Sequence, residues 1–278
     1  MIEFRVLNFR ILSVGLVLAA LASVSQAGKV IPAQKPVKDL AAAGLFELME
    51  AKQVDVKLVH KNEASGNLLI ENKSDKALNF QLPEAFVGVH VLNQGFFGNG
   101  NNSGNNPFGN QSGQGNGQGQ GGQTTGGGAS NSGQTGTGIF SVPPGKVARV
   151  SVRSVCLEHG RPTPSSRMEY RIFPVERFSR NPALFELLTV VADGKHSQKV
   201  AQAAAWHMAS DKSWKQLAAM KFRRLGGLPD IPEFTQNQLA AAKKLAENSQ
   251  MLAEKRDKSK NRSSGSEAVV ARREVSAR

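Results

Sequence analysis

The feature that most constrains the fold of this chain is a long polar tract without an ionisable side chain. The tract covers residues 95–138, and 17 of its 44 residues are glycine, with asparagine, glutamine, serine and threonine supplying most of the rest. Such a composition cannot bury enough apolar surface to offset the entropy lost on ordering the chain. We therefore predict a disordered low-complexity loop over 95–138, either a neutral spacer or a point of self-association.

Short runs of alternating apolar and polar residues flank this polar tract. VDVKLVH, NLLIEN, ALNFQL and FVGVHVL precede it, and VPPGKVARVSVRSVC and MEYRIFPV follow it, with turn residues between the runs. The pattern is typical of an antiparallel sandwich or an open barrel. We expect the first part of a β-sandwich over residues 54–94 and its second part over residues 139–175.

Helical periodicity appears at both ends of the predicted sheet. Residues 28–53 are expected to form an N-terminal segment with a short helix. PALFELLTVVADG, HSQKVAQAAAWHMAS and DKSWKQLAAMKFRRLGG predict three helices, and so a small helical subdomain over residues 176–228. A last helix is expected to begin at Thr235 and to fray, so that residues 229–278 form a C-terminal helix and basic tail.

The first residues have the three-part pattern of a secretory signal peptide. A basic start is followed by an apolar run over residues 11–24, and small residues precede a cleavage site between Ala27 and Gly28. The alternative is an uncleaved anchor helix, but the run is shorter than the roughly 20 residues that span a bilayer. We predict that residues 1–27 are removed and that the mature protein is secreted or lies in the periplasm or cell envelope, without a membrane span.

The chain is strongly basic, with a formal net charge of +13. Without the predicted signal peptide, 33 basic and 21 acidic residues remain. A charge of this size attracts anionic partners at long range but does not identify them. We expect an unknown protein or an anionic envelope polymer as partner, with Lys221, Arg223 and Arg224 as candidate contacts, and export argues against a specific nucleic acid. A solvated basic surface without a specific partner is the alternative.

The only cysteine, Cys156, lies in the stretch SVRSVCLEHGRP. One cysteine excludes an internal disulfide framework. The period of two in VARVSVRSVC turns Cys156 inward, where a cysteine usually packs as a small apolar residue. We interpret Cys156, Glu158, His159 and Arg161 as a structural corner at the end of the sheet.

Two chemical alternatives remain at Cys156. Cys156 and His159 have metal-ligand spacing, but zinc needs three or four ligands and the other histidines are scattered (His60, His90, His196 and His207). We therefore expect no metal and no cofactor. A cysteine–histidine nucleophile would require the strand to end at Cys156, because neighbouring strand positions face opposite ways.

The alanine-rich segment AQAAAWHMASDKSW carries two tryptophans, Trp206 and Trp214, which we interpret as aromatic anchors of helix packing. Its residues Gln202–Trp206 resemble the T-Q-x-A-I-W helix of bacterial surface thioester domains. In that family a cysteine condenses with the glutamine to form an internal thioester that acylates an amine. The resemblance implies Cys156 as the thiol and Gln202 as the acyl donor, and so a covalent surface-binding domain.

Two further resemblances concern the predicted sheet. LLIENKSDKALNFQLP together with VPPGKVARVSV resembles the immunoglobulin-like modules of exported bacterial proteins, which implies an α+β fold with an antiparallel immunoglobulin-like β-sandwich. LPEAF, CLEHG and QAAAWH are similar to an uncharacterised group of exported bacterial proteins. Neither resemblance implies an activity. We predict a non-catalytic envelope or extracellular module, with a thioester domain or cysteine-dependent enzyme as the alternative.

Overall fold

The computed structural model describes residues 28–91, 123–129 and 138–276, with side chains as far as Arg262 in the last range. The predicted signal peptide and most of the polar tract lie outside these residues. None of the helices within the described ranges combines the length and apolarity that a membrane crossing requires.

The described residues form twelve strands and six helices. The strands are β1 (Val30–Pro32), β2 (Ala42–Gly44), β3 (Val54–Asn62), β4 (Ser65–Asn72), β5 (Leu78–Gln81), β6 (Phe86–His90), β7 (Thr125–Ala129), β8 (Ile139–Val142), β9 (Val147–Cys156), β10 (Tyr170–Phe173), β11 (Lys221–Phe222) and β12 (Ile231–Pro232). The helices are α1 (Leu45–Glu50), α2 (Val175–Phe178), α3 (Pro182–Asp193), α4 (Gln198–Ala209), α5 (Trp214–Ala219) and α6 (Gln236–Ser276).

Six antiparallel strands close into a barrel. Their order is β9-β4-β3-β10-β6-β7, and β7 pairs back onto β9. The predicted α+β class is confirmed, but the immunoglobulin-like β-sandwich is wrong. Alternation in a sequence shows which face of a strand is buried, but it does not show which strand edges meet. Strands β2, β5 and β8 form a separate three-stranded sheet, and β1 runs parallel to the first residues of β9.

The strand that closes the barrel comes from the polar tract. Residues Thr125–Gly127 pair with β6 on one side, and Thr125–Ala129 pair with Val152–Cys156 of β9 on the other. The prediction of disorder is therefore wrong for this strand, whereas residues 95–122 and 130–137 lie outside the described part of the chain. Two ladders of hydrogen bonds offset the entropy that a glycine-rich strand loses on ordering.

Two hydrophobic cores meet at the barrel wall. The first fills the barrel and includes Leu58, Leu68, Ile70, Phe86, Val150 and Tyr170. The second lies between the outer face of the barrel and helices α3, α4 and α6, and includes Val87, Val155, Leu157, Leu184, Leu188 and Ala204. Phe86 and Val87 of β6 face opposite cores, and so do Val152 and Val155 of β9, as the two-residue period of a strand requires.

The helices confirm the predicted periodicity and correct several boundaries. Caps begin α3, α4 and α5, where the side chains of Asn181, Ser197 and Ser213 accept hydrogen bonds from main-chain N–H groups. The predicted N-terminal helix is reduced to α1, because Ala42–Gly44 pairs with β5 instead. The third predicted helix ends early at Ala219, because its last residues pair as β11 with β12.

The C-terminal helix α6 continues to Ser276 rather than fraying, and Arg256 holds it against the fold in addition to its apolar face. The Arg256 guanidinium donates to the buried carboxylate of Glu186 on α3. Its Nη2 atom also donates to Glu84 Oε2 beside the barrel, at 3.0 Å. The Arg256 guanidinium also lies 4.9 Å from the centroid of the Phe185 ring. A buried carboxylate is costly without a partner, so this contact fixes where α6 crosses α3.

We expect Gly127→Ala to destabilise the barrel. A Cβ atom at Gly127 would lie 1.9 Å from the carbonyl oxygen of Arg153 on the paired strand, and that main chain cannot move without breaking the ladder. The free energy of unfolding in urea should fall by at least about 2 kcal/mol. Gly44→Ala is the control, because its nearest neighbour is the flexible Glu47 side chain at 3.3 Å. Equal stabilities for the two variants would contradict closure by β7.

Candidate functional site

The residues that sequence analysis selected for chemistry meet where β9 leaves the barrel. The side chain of Gln202, on α4, makes two hydrogen bonds to the main chain of Cys156. Its Oε1 atom accepts from the Cys156 N–H at 2.9 Å, and its Nε2 atom donates to the Cys156 carbonyl at 2.7 Å. The structure therefore brings Cys156 and Gln202 together through the main chain of Cys156. The Gln202 carboxamide makes the two hydrogen bonds that the main chain of a neighbouring strand would otherwise make.

The Cys156 thiol lies inside the barrel, as the strand parity predicts, and only 3% of the residue is exposed. Burial, together with the nearby charge of Glu63, raises the pKa of the thiol to about 12. The thiol is therefore protonated at neutral pH. A protonated and enclosed thiol is a poor nucleophile, since the thiolate is the reactive form.

Glu158 and Arg161 connect this corner to the start of β7. The Glu158 Oε2 atom accepts from the Thr124 N–H at 2.8 Å, and its Oε1 atom pairs with Arg161 Nε at 3.1 Å. Gln123 Nε2 donates to the Arg161 carbonyl at 2.8 Å, and the Leu157 N–H donates to the Thr124 carbonyl. Sequence analysis missed Gln123 and Thr124, because they lie in the polar tract and carry no apolar pattern.

His159 and Trp206 complete the corner by packing. Their ring centroids are 4.7 Å apart with the planes at 87°, and Trp206 makes a second edge contact with Phe234 at 5.8 Å. Ser210 bridges the two segments, since it accepts from the His159 N–H and donates to the Leu157 carbonyl. Burial lowers the pKa of His159. The imidazole is therefore mainly neutral at neutral pH and suits an apolar contact.

The second predicted anchor, Trp214, lies away from this corner at the start of α5. Its ring is 4.2 Å from that of His207, and the Nδ1 atom of His207 lies 2.8 Å from the Lys212 carbonyl. These contacts hold the turn between α4 and α5. Within residues 28–91, 123–129 and 138–276, no group of three or more histidine, cysteine, aspartate or glutamate side chains could hold a metal ion.

A polar cluster that sequence analysis missed lies within the barrel. His60 is fully buried, with Nε2 3.1 Å from Thr125 Oγ1 and its ring 4.7 Å from that of Tyr170. The His90 ring packs against the same tyrosine, with the ring centroids 5.4 Å apart. The Nδ1 atom of His60 has no hydrogen-bond partner among the described residues. The cluster could not be found from sequence, because its members lie on four strands that are distant along the chain.

Burial controls the charge of this cluster. Burial lowers the pKa of His60 from 6.5 to about 4. The main chain of Asn62 and Ser65 lies close enough to oppose this shift, but it forms no hydrogen bond with the Nδ1 atom of His60. Burial also lowers the pKa of His90 and raises that of Tyr170. All three groups are therefore neutral at pH 7. The cluster contributes a polar but uncharged lining to the barrel.

The predicted anion-binding residues lie together on a separate element. We call residues 221–232 the basic hairpin, because β11 and β12 pair at its base and Lys221, Arg223 and Arg224 are three of its four charged residues. Each of its residues is exposed. Neither an ion pair nor a hydrogen bond within the described part of the chain engages its three cationic groups.

The base of the basic hairpin is attached firmly to the helices. Glu233 N–H donates to the Met220 carbonyl at 2.9 Å and so extends the ladder by one bond. Phe234 is buried against Trp206, and Lys199 pairs with Glu233. The exposed part of the hairpin therefore projects from a fixed position between α5 and α6.

Comparisons with known proteins do not indicate a function for these sites. The chain matches no protein-family model, no curated protein and no solved structure. The resemblances to exported bacterial proteins and to thioester domains remain predictions, so the contacts described above carry the functional argument.

We expect the stability of the protein to fall between pH 6.5 and about pH 4. Because the folded pKa of His60 is depressed, unfolding takes up a proton in this window, and the free energy of unfolding should fall by about 3 kcal/mol through His60 alone. His60→Gln should remove this part of the pH dependence, whereas His196→Gln, at an exposed position, should retain it. An NMR titration that places the pKa of His60 near 6.5 would contradict the assignment.

Proposed function

We propose that this protein is an exported, non-catalytic module of the cell envelope or extracellular space that binds an anionic polymer or protein through its basic surface. The observation that carries the proposal is the basic hairpin. Its three cationic side chains are exposed and have no anionic partner in the described part of the chain, while its base is held by Glu233 and Phe234. Because the base of the hairpin is held, binding has to order the cationic side chains but little of the main chain that carries them.

The state of the only cysteine supports a non-catalytic role. The thiol of Cys156 is enclosed in the barrel with its pKa raised to about 12. Glu158, which would be its nearest acidic neighbour along the sequence, is engaged by Thr124 and Arg161. The residues that sequence analysis considered for nucleophilic chemistry thus have partners in the fold itself.

The basic hairpin should dominate anion binding. We expect the mature protein to be retained on heparin in a salt-dependent manner, because exposed charges are screened over about 10 Å at 0.1 M salt. The triple variant Lys221→Gln, Arg223→Gln and Arg224→Gln should lose at least about tenfold in affinity at fixed salt. Isothermal titration with heparin fragments, together with the salt concentration of elution, measures the loss.

A variant with the same loss of charge elsewhere is the control for this experiment. Lys35, Lys38 and Lys76 are exposed and lie in the N-terminal half of the chain. Their triple glutamine variant should bind nearly as wild type does. Equal losses in the two triple variants would mean diffuse attraction by net charge, and would contradict a binding site at the hairpin.

The thioester alternative is favoured by one observation, the contact between Gln202 and Cys156. A thioester would expel ammonia and join the Cys156 sulfur to the Gln202 side-chain carbonyl carbon. Both ends of the carboxamide bond to the Cys156 main chain, so we expect the free thiol instead. Intact mass should show no loss of ammonia, and a maleimide should react slowly with the native protein and fully after denaturation. Loss of ammonia together with a blocked thiol would establish the thioester.

A further inference from the structure

Apolar side chains accompany the cations of the basic hairpin. Leu225 is 91% exposed, Phe222 55% and Leu228 51%. Phe222 and Ile231 are directly paired across β11 and β12, so both lie on one face of the hairpin. Leu225 and Leu228 flank the turn at its tip. Large apolar residues gathered on one projecting element mark an interaction site, whereas single exposed ones do not.

The turn between the leucines is built to project. Gly226 and Gly227 have φ values of 76° and 73°, which favour glycine, and a Cβ atom at either position would meet no other atom within 4 Å. The glycines therefore serve the sharp reversal of the chain and not close packing. As a result the leucines are held at the outermost part of the hairpin, away from both cores.

The charges of the hairpin distinguish among the surfaces that could receive this tip. Lys221, Arg223 and Arg224 alternate with or directly precede Phe222 and Leu225 along the hairpin, and Asp230 is the only acidic residue of the twelve. An apolar tip bordered by cations matches the interface of an anionic bilayer, where acyl chains receive the apolar groups and headgroup phosphates receive the cations. An anionic polymer in water would use the cations but would leave Leu225 and Leu228 exposed.

We propose that the basic hairpin inserts its tip into the interface of an anionic membrane. Leu225 and Leu228 enter the boundary between headgroups and acyl chains, and the three cations bind lipid phosphates. The inference rests on the proposed function, since the same cations carry both, but it assigns lipid phosphates as their partner in place of a polymer or a protein. The protein would thus lie on the membrane surface without spanning it.

The test compares vesicle binding with polymer binding. Mature protein is sedimented with vesicles of phosphatidylcholine alone or of phosphatidylcholine with phosphatidylglycerol. We expect binding to the mixed vesicles, weakened by salt, and little binding to the neutral ones. Leu225→Ser and Leu228→Ser should each weaken vesicle binding by about tenfold, because each removes an apolar side chain that the bilayer buries. Retention on heparin should be unchanged in both variants.

Met251→Ser is the matched control, because Met251 is 52% exposed but lies on α6. It should bind vesicles and heparin as wild type does. Each serine replaces an exposed side chain, so circular dichroism should show the fold of all three variants unchanged.

Insertion can also be observed directly. Because Cys156 is buried, a fluorophore attached to Leu228→Cys under native conditions labels the hairpin alone. We expect quenching by a lipid-attached quencher and protection from iodide when anionic vesicles are added. Iodide quenching that vesicles leave unchanged would overturn insertion.

The outcomes separate the two proposals. Leucine variants that bind mixed vesicles as wild type does would overturn insertion and leave anion binding intact. A charge variant that retains both heparin and vesicle binding would overturn the proposed function itself. If the wild type is a dimer and the leucine variants are monomers with unchanged vesicle binding, the tip is covered by a second copy, and insertion is again overturned.

Discussion

Closure of the barrel by β7 is the interaction on which the rest of the structure depends. The strand satisfies the open edges of β6 and β9, and it lies directly beneath α3, where a Cβ atom at Gly126 would come within 2.6 Å of Leu188. Glycine thus allows the second core to pack close to the barrel wall. Ordering glycine is costly in entropy, and the strand recovers that cost because both of its edges are hydrogen-bonded and its start is held by Glu158.

The corner at Cys156 explains why a structural segment can resemble a catalytic one in sequence. Within these four residues, a glutamate can also accept hydrogen bonds from main-chain N–H groups, a histidine can pack on aromatic rings, and a cysteine can pack as a small apolar residue. Glu158 caps the N–H of Thr124, His159 lies against Trp206, and Gln202 bonds to the strand end. Each of these contacts joins the end of β9 to α4 or to the start of β7, so the segment connects the barrel closure to the helices.

The local features of the fold were predictable, and the distant contacts were not. Alternation located β3, β4 and β9 and the inward position of Cys156, and helical periodicity located α3, α4 and α5, because these signals depend on neighbours in sequence. Strand β7 has no apolar alternation, and its place is decided by the two edges it joins. The cluster at His60 and Tyr170 depends on barrel closure. The hairpin depends on an anchor at Phe234, twelve residues beyond Phe222, whereas the sequence around Phe222 continues the helical pattern of α5.

The combination of charge and apolar surface on the basic hairpin decides what kind of attachment is possible. Three cations near an anionic bilayer contribute about 3 kcal/mol, which alone gives binding weaker than millimolar. Two leucines buried in the bilayer contribute about 3 to 4 kcal/mol, which alone also gives binding no tighter than about millimolar. Together they reach about 6 to 7 kcal/mol, a dissociation constant of about 10 to 40 μM. Because the electrostatic part acts only within about 10 Å at 0.1 M salt, we expect the proposed attachment to be reversible and sensitive to the lipid composition of the surface.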